Sequence, residues 1–487
     1  MRVSSFLTAL GLSLLFSMQN VHADVSAMDL PDFGDSAGSV ISPEMERRIG
    51  EAFMRHVRKN ASVVSDPEVQ SYIRSLGYRL VSNSEDAGKD YTFFVVNDPM
   101  INAFAAPGGV IGINSGVFIN ARSESELAGV VAHEVAHVTQ RHMARMFEMQ
   151  EKMSMPMLAA LVGSILLGIA NPQAGQAAIT AIAGVQAQYG INFTRANEEE
   201  ADRIGIQLLA RSEFDPRGMT GFFERLQQNS RFYQGNAPEY LRTHPLTTSR
   251  IADAKSRAEQ YPVVDVHDSE SFELVRMKLI VRTEKNTRDA VSKLGEMLKQ
   301  AQADNRGVIP ARYGYAIALT DAKRFREAKE QLGYLLEYEN EKPAFLLAAA
   351  RLEAAQQNYR SALEIYEKMQ ELYPNYRPLI MAWAKTLLAA GQPAKARDLL
   401  RKYGRSHETD HQYYELLAQA EGMAGNEAES GIAKAHHFYL IGDTQLAIER
   451  LKHTQRQQGL DYYQQQRIES RLDHYMHERQ LERELQL

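Results

Sequence analysis

Hydrophobic and polar positions follow two different periods along the first third of the chain. Residues 42–44 (Ser-Pro-Glu) are typical of a helix start, and a second helix with Pro in its first turn is predicted over 66–80. Residues 91–96 are mostly aromatic and β-branched, which predicts a strand. The Pro-Gly-Gly turn at 107–109 precedes a second strand, returning along 110–113. We therefore expect a small β-sheet in an otherwise helical region.

The middle of the chain is more apolar. A long helix is predicted over 123–148, because Ser123 and Glu126 have the spacing of a capping box. Apolar stretches follow at 156–170 and 177–185, and each is shorter than the ~20 residues that a membrane span needs. They are typical of a buried or partly exposed helical pair. The alternative is that they dip into a membrane surface or cover a cleft.

Three more helices are predicted before the helical periodicity breaks. The first begins near residue 197, the second covers 216–229, and the third covers 248–260. The segment 261–266 (Tyr-Pro-Val-Val-Asp-Val) does not continue the helical pattern. We place a domain boundary there.

The C-terminal half contains an internal repeat of 34 residues. The equivalent positions are Ala316, Ala350 and Ala384; Ala328, Ala362 and Ala396; and Phe325, Tyr359 and Pro393. This is the tetratricopeptide period, in which small residues let two antiparallel helices approach closely. Weaker helix pairs flank the three repeats at 269–302 and 410–456, and another helix is predicted over 461–487, so we expect four or five pairs.

The first 23 residues have the pattern of a cleavable export signal. Arg2 precedes an apolar stretch over 6–16, and residues 21–23 (Val-His-Ala) form a small-residue cleavage site. The apolar stretch is too short for a membrane anchor. We therefore predict cleavage after Ala23, a flexible leader over 24–41, and a periplasmic location.

Composition agrees with an exported globular protein. The chain has 487 residues, 24% of them charged, and a mean hydropathy of −0.38. Its 55 Lys and Arg residues against 61 Asp and Glu give a net charge of −6, so nucleic acid is not an expected partner. No cysteine is present, which excludes a disulfide framework and a lipid-anchored cysteine.

The strongest chemical signal is His133-Glu134-Val135-Ala136-His137. Residues four apart share one face of a helix, so both imidazoles can bind one Zn²⁺ while Glu134 acts as the base toward water. The neighbouring positions are apolar, and burying these polar groups without a partner would cost several kcal/mol. A zinc site with one ion per chain is predicted.

A third ligand must come from elsewhere in the chain. Gln140 and Met143 stand where a metzincin carries Gly and His, and His142 is expected to lie in an outer layer or in solvent. Glu198 and Asp202 share a helical face, so Glu198 can ligate zinc while Asp202 orients a ligating histidine. The competing interpretation is that the three consecutive glutamates are only a solvated helix start.

Together these patterns predict a mainly α protein. A helical HExxH zinc-peptidase domain with a small β-sheet occupies 42–262, and an α-solenoid of tetratricopeptide repeats occupies 269–487. The segments before them are the signal peptide, 1–23, and the leader, 24–41.

The motifs resemble those of zinc peptidases of the HtpX and CAAX-prenyl-protease kind, in which HExxH is followed by ExxxD on a later helix. The matching residues are His133, Glu134, His137, Glu198 and Asp202. The similarity extends to 102–109 and to the His244-Pro245 and Arg250-Ile251 pairs, and it covers about residues 42–260. The chain differs from the membrane-embedded relatives in lacking full transmembrane spans.

The resemblance implies two further roles. The strand after Gly109 would be the edge to which an extended substrate adds through its main chain. His244 and Arg250 would lie near the metal, with His244 either the fourth zinc ligand or a donor to the tetrahedral oxyanion. A purely structural loop histidine is the third interpretation.

With the export signal and the repeats, the chain resembles periplasmic members of this kind from Gram-negative bacteria. That resemblance implies a metalloendopeptidase that degrades misassembled outer-membrane β-barrel proteins and assists their assembly. The repeats would dock the barrel assembly machinery, and 156–185 is a candidate peripheral membrane contact. The alternative function is a non-proteolytic chaperone or scaffold whose zinc site is occluded or regulatory.

Overall fold

The computed structural model describes residues 42–148, 163, 187–230, 239–404 and 410–484. The predicted signal peptide and leader, 1–41, lie outside these residues. So do the apolar stretches at 156–170 and 177–185, except for Gly163.

The N-terminal half consists of short helices around a small sheet. In chain order its elements are α1 (Pro43–Asn60), α2 (Pro67–Val81), β1 (Thr92–Val96), β2 (Ala103–Ala106), β3 (Val110–Asn114), α3 (Ser115–Asn120), α4 (Glu124–Thr139), α5 (His142–Glu148), α6 (Ala187–Arg211), α7 (Arg217–Ser230), α8 (Glu239–Thr243) and α9 (Thr248–Ala258). The predicted starts of α1 and α2 are confirmed. The side chains of Ser42 and Asp66 accept backbone N–H groups of the first turns.

The sheet has three strands in the order β1-β3-β2. β1 runs parallel to β3, and β2 runs antiparallel to it. The sequence analysis missed β2 because four residues of Ala and Phe carry little of the β-branched signal. The turn at Gly108 and Gly109, both with positive φ, therefore joins β2 to β3 and not the two predicted strands.

This order corrects the expectation that the strand after Gly109 is an edge. That strand is β3, which is paired on both sides. The outer side of β1 is covered in part by the segment at Val63 and Val64, which bonds to Val95 and bridges to Val96. Among the described residues, the backbone groups of β2 that point away from β3 have no hydrogen-bond partner. The free edge of the sheet is therefore β2.

The expected single helix over 123–148 is two helices. Arg141 has a φ of 50°, and this left-handed conformation separates helix α4 from helix α5. Ser123 caps α4 as predicted, since its Oγ accepts the Glu126 N–H at 3.2 Å. The helix that was predicted to begin near residue 197 is α6, and it begins earlier, at Ala187.

The second half forms the predicted repeat array. Its helices are α10 (Glu270–Thr283), α11 (Thr287–Ala303), α12 (Val308–Asp321), α13 (Phe325–Tyr338), α14 (Pro343–Ala355), α15 (Tyr359–Leu372), α16 (Arg377–Ala389), α17 (Pro393–Tyr403), α18 (His411–Met423), α19 (Glu427–Leu440), α20 (Thr444–Gln455) and α21 (Tyr462–Glu484). All six alanines of the 34-residue sets are buried between helices. Phe325, Tyr359 and Pro393 each begin the second helix of a pair. The described residues contain six such pairs, more than the four or five expected.

The core continues across the predicted boundary at 261–266. Phe272, Val275 and Leu279 on α10 pack into the same cluster as the core of the N-terminal half. The amine of Lys278, also on α10, lies 3.1 Å from the carboxylate of Asp66. The first repeat helix thus completes the core of the N-terminal half.

The last helix returns to the beginning of the chain. Leu481 on α21 packs in one cluster with Ile49 and Phe53 of α1. The repeat array therefore contacts the N-terminal half through both its first and its last helix. In the described part of the chain, no helix combines the length and apolarity needed to cross a bilayer.

Candidate metal centre

Helix α4 carries the HExxH motif through the middle of the N-terminal core. Every residue from Glu124 to Ala136 is buried, so the helix is enclosed on all sides and not only along one stripe. Gly205 on α6 packs against the backbone of Ala132 and His133, where a Cβ would lie only 3.3 Å away. This close contact brings α6, and with it the second carboxylate motif, next to the histidines.

Four side chains converge at this point. The Nε2 atoms of His133 and His137 are 3.0 Å apart. Glu198 places one carboxylate oxygen 3.3 Å from the His137 Nε2 and the other 3.4 Å from the His133 Nε2. His244, just after the short helix α8, places its Nδ1 3.3 Å from the His133 Nε2 and 2.9 Å from the nearer Glu198 oxygen.

The donor set fits a tetrahedral metal ion. Donor atoms about 2.0 Å from one ion in a tetrahedron are about 3.3 Å from one another. Five of the six pairwise separations fall between 2.9 and 3.4 Å, with Oε1 of Glu198 taken toward His137 and His244 and Oε2 toward His133. One ligand atom from each of the four residues lies within 4.8 Å of all the others. Two imidazoles, a carboxylate and a third imidazole are donors that Zn²⁺ prefers.

A second layer of charge surrounds these four residues. Arg250 donates from Nε and Nη2 to the two carboxylate oxygens of Asp202 at 2.5 and 2.9 Å. Its Nη1 lies 2.6 Å from Glu198 Oε2, and Asp202 Oδ1 lies 3.0 Å from His133 Nδ1. One guanidinium thus links the carboxylate in the cluster to the carboxylate behind His133. Arg250 and Asp202 thus contact residues of the four-residue cluster from behind.

The pKa values in the site reflect an excess of negative charge. Burial alone would lower the pKa of His133, but the carboxylates of Asp202 and Glu198 outweigh burial and raise it to about 9. Burial lowers the pKa of His137 to about 3. Burial would raise the pKa of Glu198, but the neighbouring His244 and Arg250 hold it well below its usual value.

Glu134, next to His133 on α4, lies beside the same cluster, since its Oε1 is near His244. Both of its carboxylate oxygens are buried and have no hydrogen-bond partner among the described residues. Burial raises its pKa despite the nearby imidazoles. The nearest titratable contact is the Nε2 of His244, at 3.5 Å. A buried carboxylate without a hydrogen-bond partner among the described residues, beside a cluster of metal-ligand donors, is suited to act as a general base for water.

The charges also favour a divalent cation. Glu134, Glu198 and Asp202 are buried carboxylates, and within the described ranges Arg250 is the one guanidinium in contact with them. This leaves an excess of two negative charges within the site. An ion of charge +2 at the four donors would neutralise the excess without protonating a histidine.

The structure brings all the candidate site residues into one cluster. Of the three consecutive glutamates, Glu198 faces the histidines, Glu199 is exposed, and Glu200 faces α5. Glu200 was not assigned a role from the sequence, because position alone does not show which of the three turns inward. His142 is buried in an outer layer against His137, one of the two places expected for it.

Tyr240 is a residue that the sequence analysis missed. Its ring is fully buried with its centroid 4.9 Å from that of His244, and its hydroxyl has no partner among the described residues. Its backbone N–H donates to Ile101 O at 3.2 Å, which ties α8 to the segment leading into β2. The available signal was its position four residues before His244, whose backbone N–H donates to the Tyr240 carbonyl at 2.8 Å.

Known protein families match parts of both halves of the chain. The family model for peptidase family M48 matches residues 67–258, and a tetratricopeptide repeat model matches 353–420. The β-barrel assembly-enhancing protease of Escherichia coli (strain K12) is 37% identical over 449 residues, which cover 92% of this chain and 91% of that protein. The protein of the same name from Yersinia pestis is 35% identical over 445 residues, 91% of each chain.

A shorter similarity reaches eukaryotic enzymes. The mitochondrial metalloendopeptidase OMA1 of Arabidopsis thaliana is 29% identical over 205 residues, which are 42% of this chain and 39% of that protein. The similarity to the bacterial proteins spans both halves, and the similarity to the mitochondrial one covers a much smaller part.

Proposed function

This chain belongs to peptidase family M48 and is a metallopeptidase, and from that premise we propose that it is an exported zinc metalloendopeptidase. Its proposed clients are misassembled outer-membrane β-barrel proteins, which it degrades and whose assembly it assists. The observation that carries the catalytic part is the convergence of four potential metal-ligand donors beside the buried carboxylate of Glu134, which has no hydrogen-bond partner among the residues that the structure describes.

We assign the ligands residue by residue. His133 and His137 through Nε2, and Glu198 through its carboxylate, hold one zinc ion per chain. Bound zinc supplies a Lewis acid that polarises the scissile carbonyl and makes water more acidic. Glu134 accepts the proton of the attacking water and passes it to the leaving amine.

The surrounding residues keep these groups in place. Asp202 orients the ring of His133 through its Nδ1, and Arg250 holds Asp202 and Glu198 together. Their removal should therefore act through metal binding and not through the proton transfer itself.

An extended substrate would add to β2 and not to β3. β2 is the free edge of the sheet, and it packs against α4, which carries the site. Main-chain pairing at an edge is tolerant of sequence, which suits a protease that meets many unfolded clients.

The identity of the clients and partners rests on the bacterial relatives, whose name describes proteases that enhance β-barrel assembly. By that similarity, the repeats at 269–487 dock the barrel assembly machinery, and 156–185 is a candidate peripheral membrane contact. The signal pattern at 1–23 supports export to the periplasm, with cleavage after Ala23.

A second candidate function is favoured by the position of His244. Its Nδ1 lies among the donors that would hold zinc, where a catalytic site keeps one position open for water. As a fourth ligand, His244 would close the site and make the protein latent or purely chaperone-like. As an oxyanion donor, it would instead assist cleavage.

The main test compares wild type with Glu134→Gln on an unfolded outer-membrane β-barrel protein. The zinc content of both should be about one ion per chain, because Glu134 is not a ligand. Cleavage by the variant should fall at least about 100-fold while client binding persists. The matched control is Glu199→Gln, an exposed position, which should cleave like wild type. Undiminished cleavage by Glu134→Gln would refute the assigned mechanism.

His244→Ala separates the two roles of the histidine. Loss of a competing ligand should raise basal cleavage and self-cleavage. Loss of an oxyanion donor should lower turnover about 100- to 1,000-fold. Unchanged turnover would leave His244 with a structural role in the loop.

A further inference from the structure

Resting on the proposed zinc site, we infer that His142 and Glu200 form a positioning relay that fixes the ring of His137. His133 has a carboxylate, Asp202, directly behind its second nitrogen. In the described part of the chain, the second nitrogen of His137 faces not a carboxylate but another imidazole, that of His142. Glu200 stands on the far side of that imidazole and completes the chain.

The break after α4 creates this arrangement. On a continuous helix, position 142 would point well away from His137, because the two residues are five apart. The left-handed conformation of Arg141 restarts the chain as α5, with His142 as its first residue. His142 is consequently buried, and its Nδ1 lies 2.8 Å from the Nδ1 of His137. The two rings meet nearly edge to face, with an interplanar angle of 80°.

The positions of the protons follow from the metal site. A neutral histidine that offers Nε2 to a metal carries its proton on Nδ1. The Nδ1 of His137 therefore donates to the Nδ1 of His142, which must accept. His142 then carries its proton on Nε2 and donates it to Glu200 Oε2, at 3.2 Å.

Basic side chains keep Glu200 available as the final acceptor. Arg145 donates from Nη2 to the same Glu200 oxygen at 3.0 Å, and from Nε to the Gln140 carbonyl at 2.7 Å. Arg203 lies 3.7 Å from the other oxygen. The relay is thus anchored on α5 and α6 at once, and it holds these helices against the end of α4.

His142 itself is not a ligand in this arrangement. Both of its nitrogens are engaged, one with His137 and one with Glu200, and it does not belong to the group of four converging donors. Its effect on the metal would pass through the orientation and basicity of His137. Outer-layer partners of this kind typically contribute 10- to 100-fold to metal affinity.

The test measures zinc affinity of the full-length protein by competition with a chromophoric chelator. Glu200→Ala should weaken binding about 10- to 100-fold. Glu200→Gln keeps an acceptor for His142 without the charge, so its loss should be smaller. Glu199→Ala, an exposed neighbour on the same helix, is the matched control and should bind zinc within about twofold of wild type.

Glu200 is the primary site for substitution because it is partly exposed and its removal should leave the core intact. In a second pair, His142→Ala should lose affinity and His142→Gln should recover part of it, since an amide can both accept from His137 and donate to Glu200. The absorption spectrum of the Co²⁺-loaded protein should change in Glu200→Ala and not in Glu199→Ala, because the geometry around His137 relaxes.

The possible outcomes distinguish this inference from the proposed function. Failure of the wild type to bind zinc would refute the proposed function and the relay with it. Tight binding by wild type and equally tight binding by Glu200→Ala would refute the relay alone. The thermal midpoints of wild type and Glu200→Ala should also be compared with and without zinc. If the substitution lowered the midpoint equally in the metal-free and the zinc-loaded protein, Glu200 would be structural and the relay would be refuted.

Discussion

Replacing Arg55 with alanine should loosen the contact between α1 and the last repeat helix. The Arg55 side chain is buried, and three of its N–H groups donate to partners in the repeats. Nη2 donates to Glu478 at 2.9 Å, Nε to Glu482 at 2.8 Å and Nη1 to the Tyr439 hydroxyl at 2.9 Å. The guanidinium also lies over the Tyr439 ring, 4.6 Å from its centroid.

The size of the effect follows from what remains after the substitution. Removing one partner of a buried ion pair typically costs about 3–5 kcal/mol, because the other charge stays buried. Glu478 is buried, but it keeps a contact at 3.1 Å with Arg48, which is partly exposed. We therefore expect about 3 kcal/mol, the lower end of that range.

Urea unfolding, together with limited proteolysis, measures the loss. Arg55→Ala should lower the unfolding midpoint and speed the release of the C-terminal helix. Arg47→Ala is the matched control on the same helix, since its pairs with Glu44 and Glu51 are exposed and should contribute little.

A second variant tests the electrostatic reasoning. Combining Arg55→Met with Glu478→Leu removes both members of the pair and leaves apolar side chains of similar size. This combination should recover most of the stability. If Arg55→Ala unfolded at the same urea concentration as Arg47→Ala, the buried cluster would not hold the two halves together and the reasoning would be wrong.

Two further predictions concern stability. In a thermal unfolding scan, Gly129→Ala should destabilise the protein by about 1–3 kcal/mol, because a Cβ would lie 2.8 Å from the backbone of Met219. The control is Gly221→Ala, whose Cβ would meet nothing closer than 3.7 Å and which should be neutral or stabilising. Burial and the positive charge of Arg58 lower the pKa of His411 to about 3, whereas the unfolded chain titrates near 6.5. Between about pH 6.5 and about pH 3, His411 is therefore protonated in the unfolded state but not in the folded state. The free energy of unfolding should fall by at most about 1.4 kcal/mol for each pH unit by which the pH is lowered through this range. The urea unfolding midpoint should change less with pH in His411→Gln than in wild type. An identical pH dependence in the two proteins would show that the low pKa of His411 does not contribute to stability.

The repeat array was the part of the fold most accessible to sequence analysis. A 34-residue period repeats a whole helix pair, so each position is seen several times and its burial can be inferred from small residues alone. Ala316, Ala350 and Ala384 all lie in the core of the array. The mainly α class and the small sheet were likewise predicted from local periodicity. β2 was missed because Ala103–Ala106 is a strand by virtue of its pairing with β3, and its own residues carry little β signal.

The candidate site shows the same division at the level of single residues. The spacing of His133 and His137 is a property of one helix, and so is that of Glu198 and Asp202. Such spacings can be read from sequence. The left-handed Arg141, which moves His142 beside His137, depends on packing among α4, α5 and α6. No periodicity in the sequence indicates it.

By itself, then, the sequence determined the helical repeats, the capped helix starts and the residue types that can hold a metal, because each depends on neighbours a few positions away. Only the tertiary structure decided that β2 and not β3 is the free edge, and that Glu198 turns inward while Glu199 faces solvent. It also decided that α10 and α21 join the two halves. These features depend on contacts between segments tens to hundreds of residues apart, and their free energy comes from burial and charge pairing that no local pattern encodes.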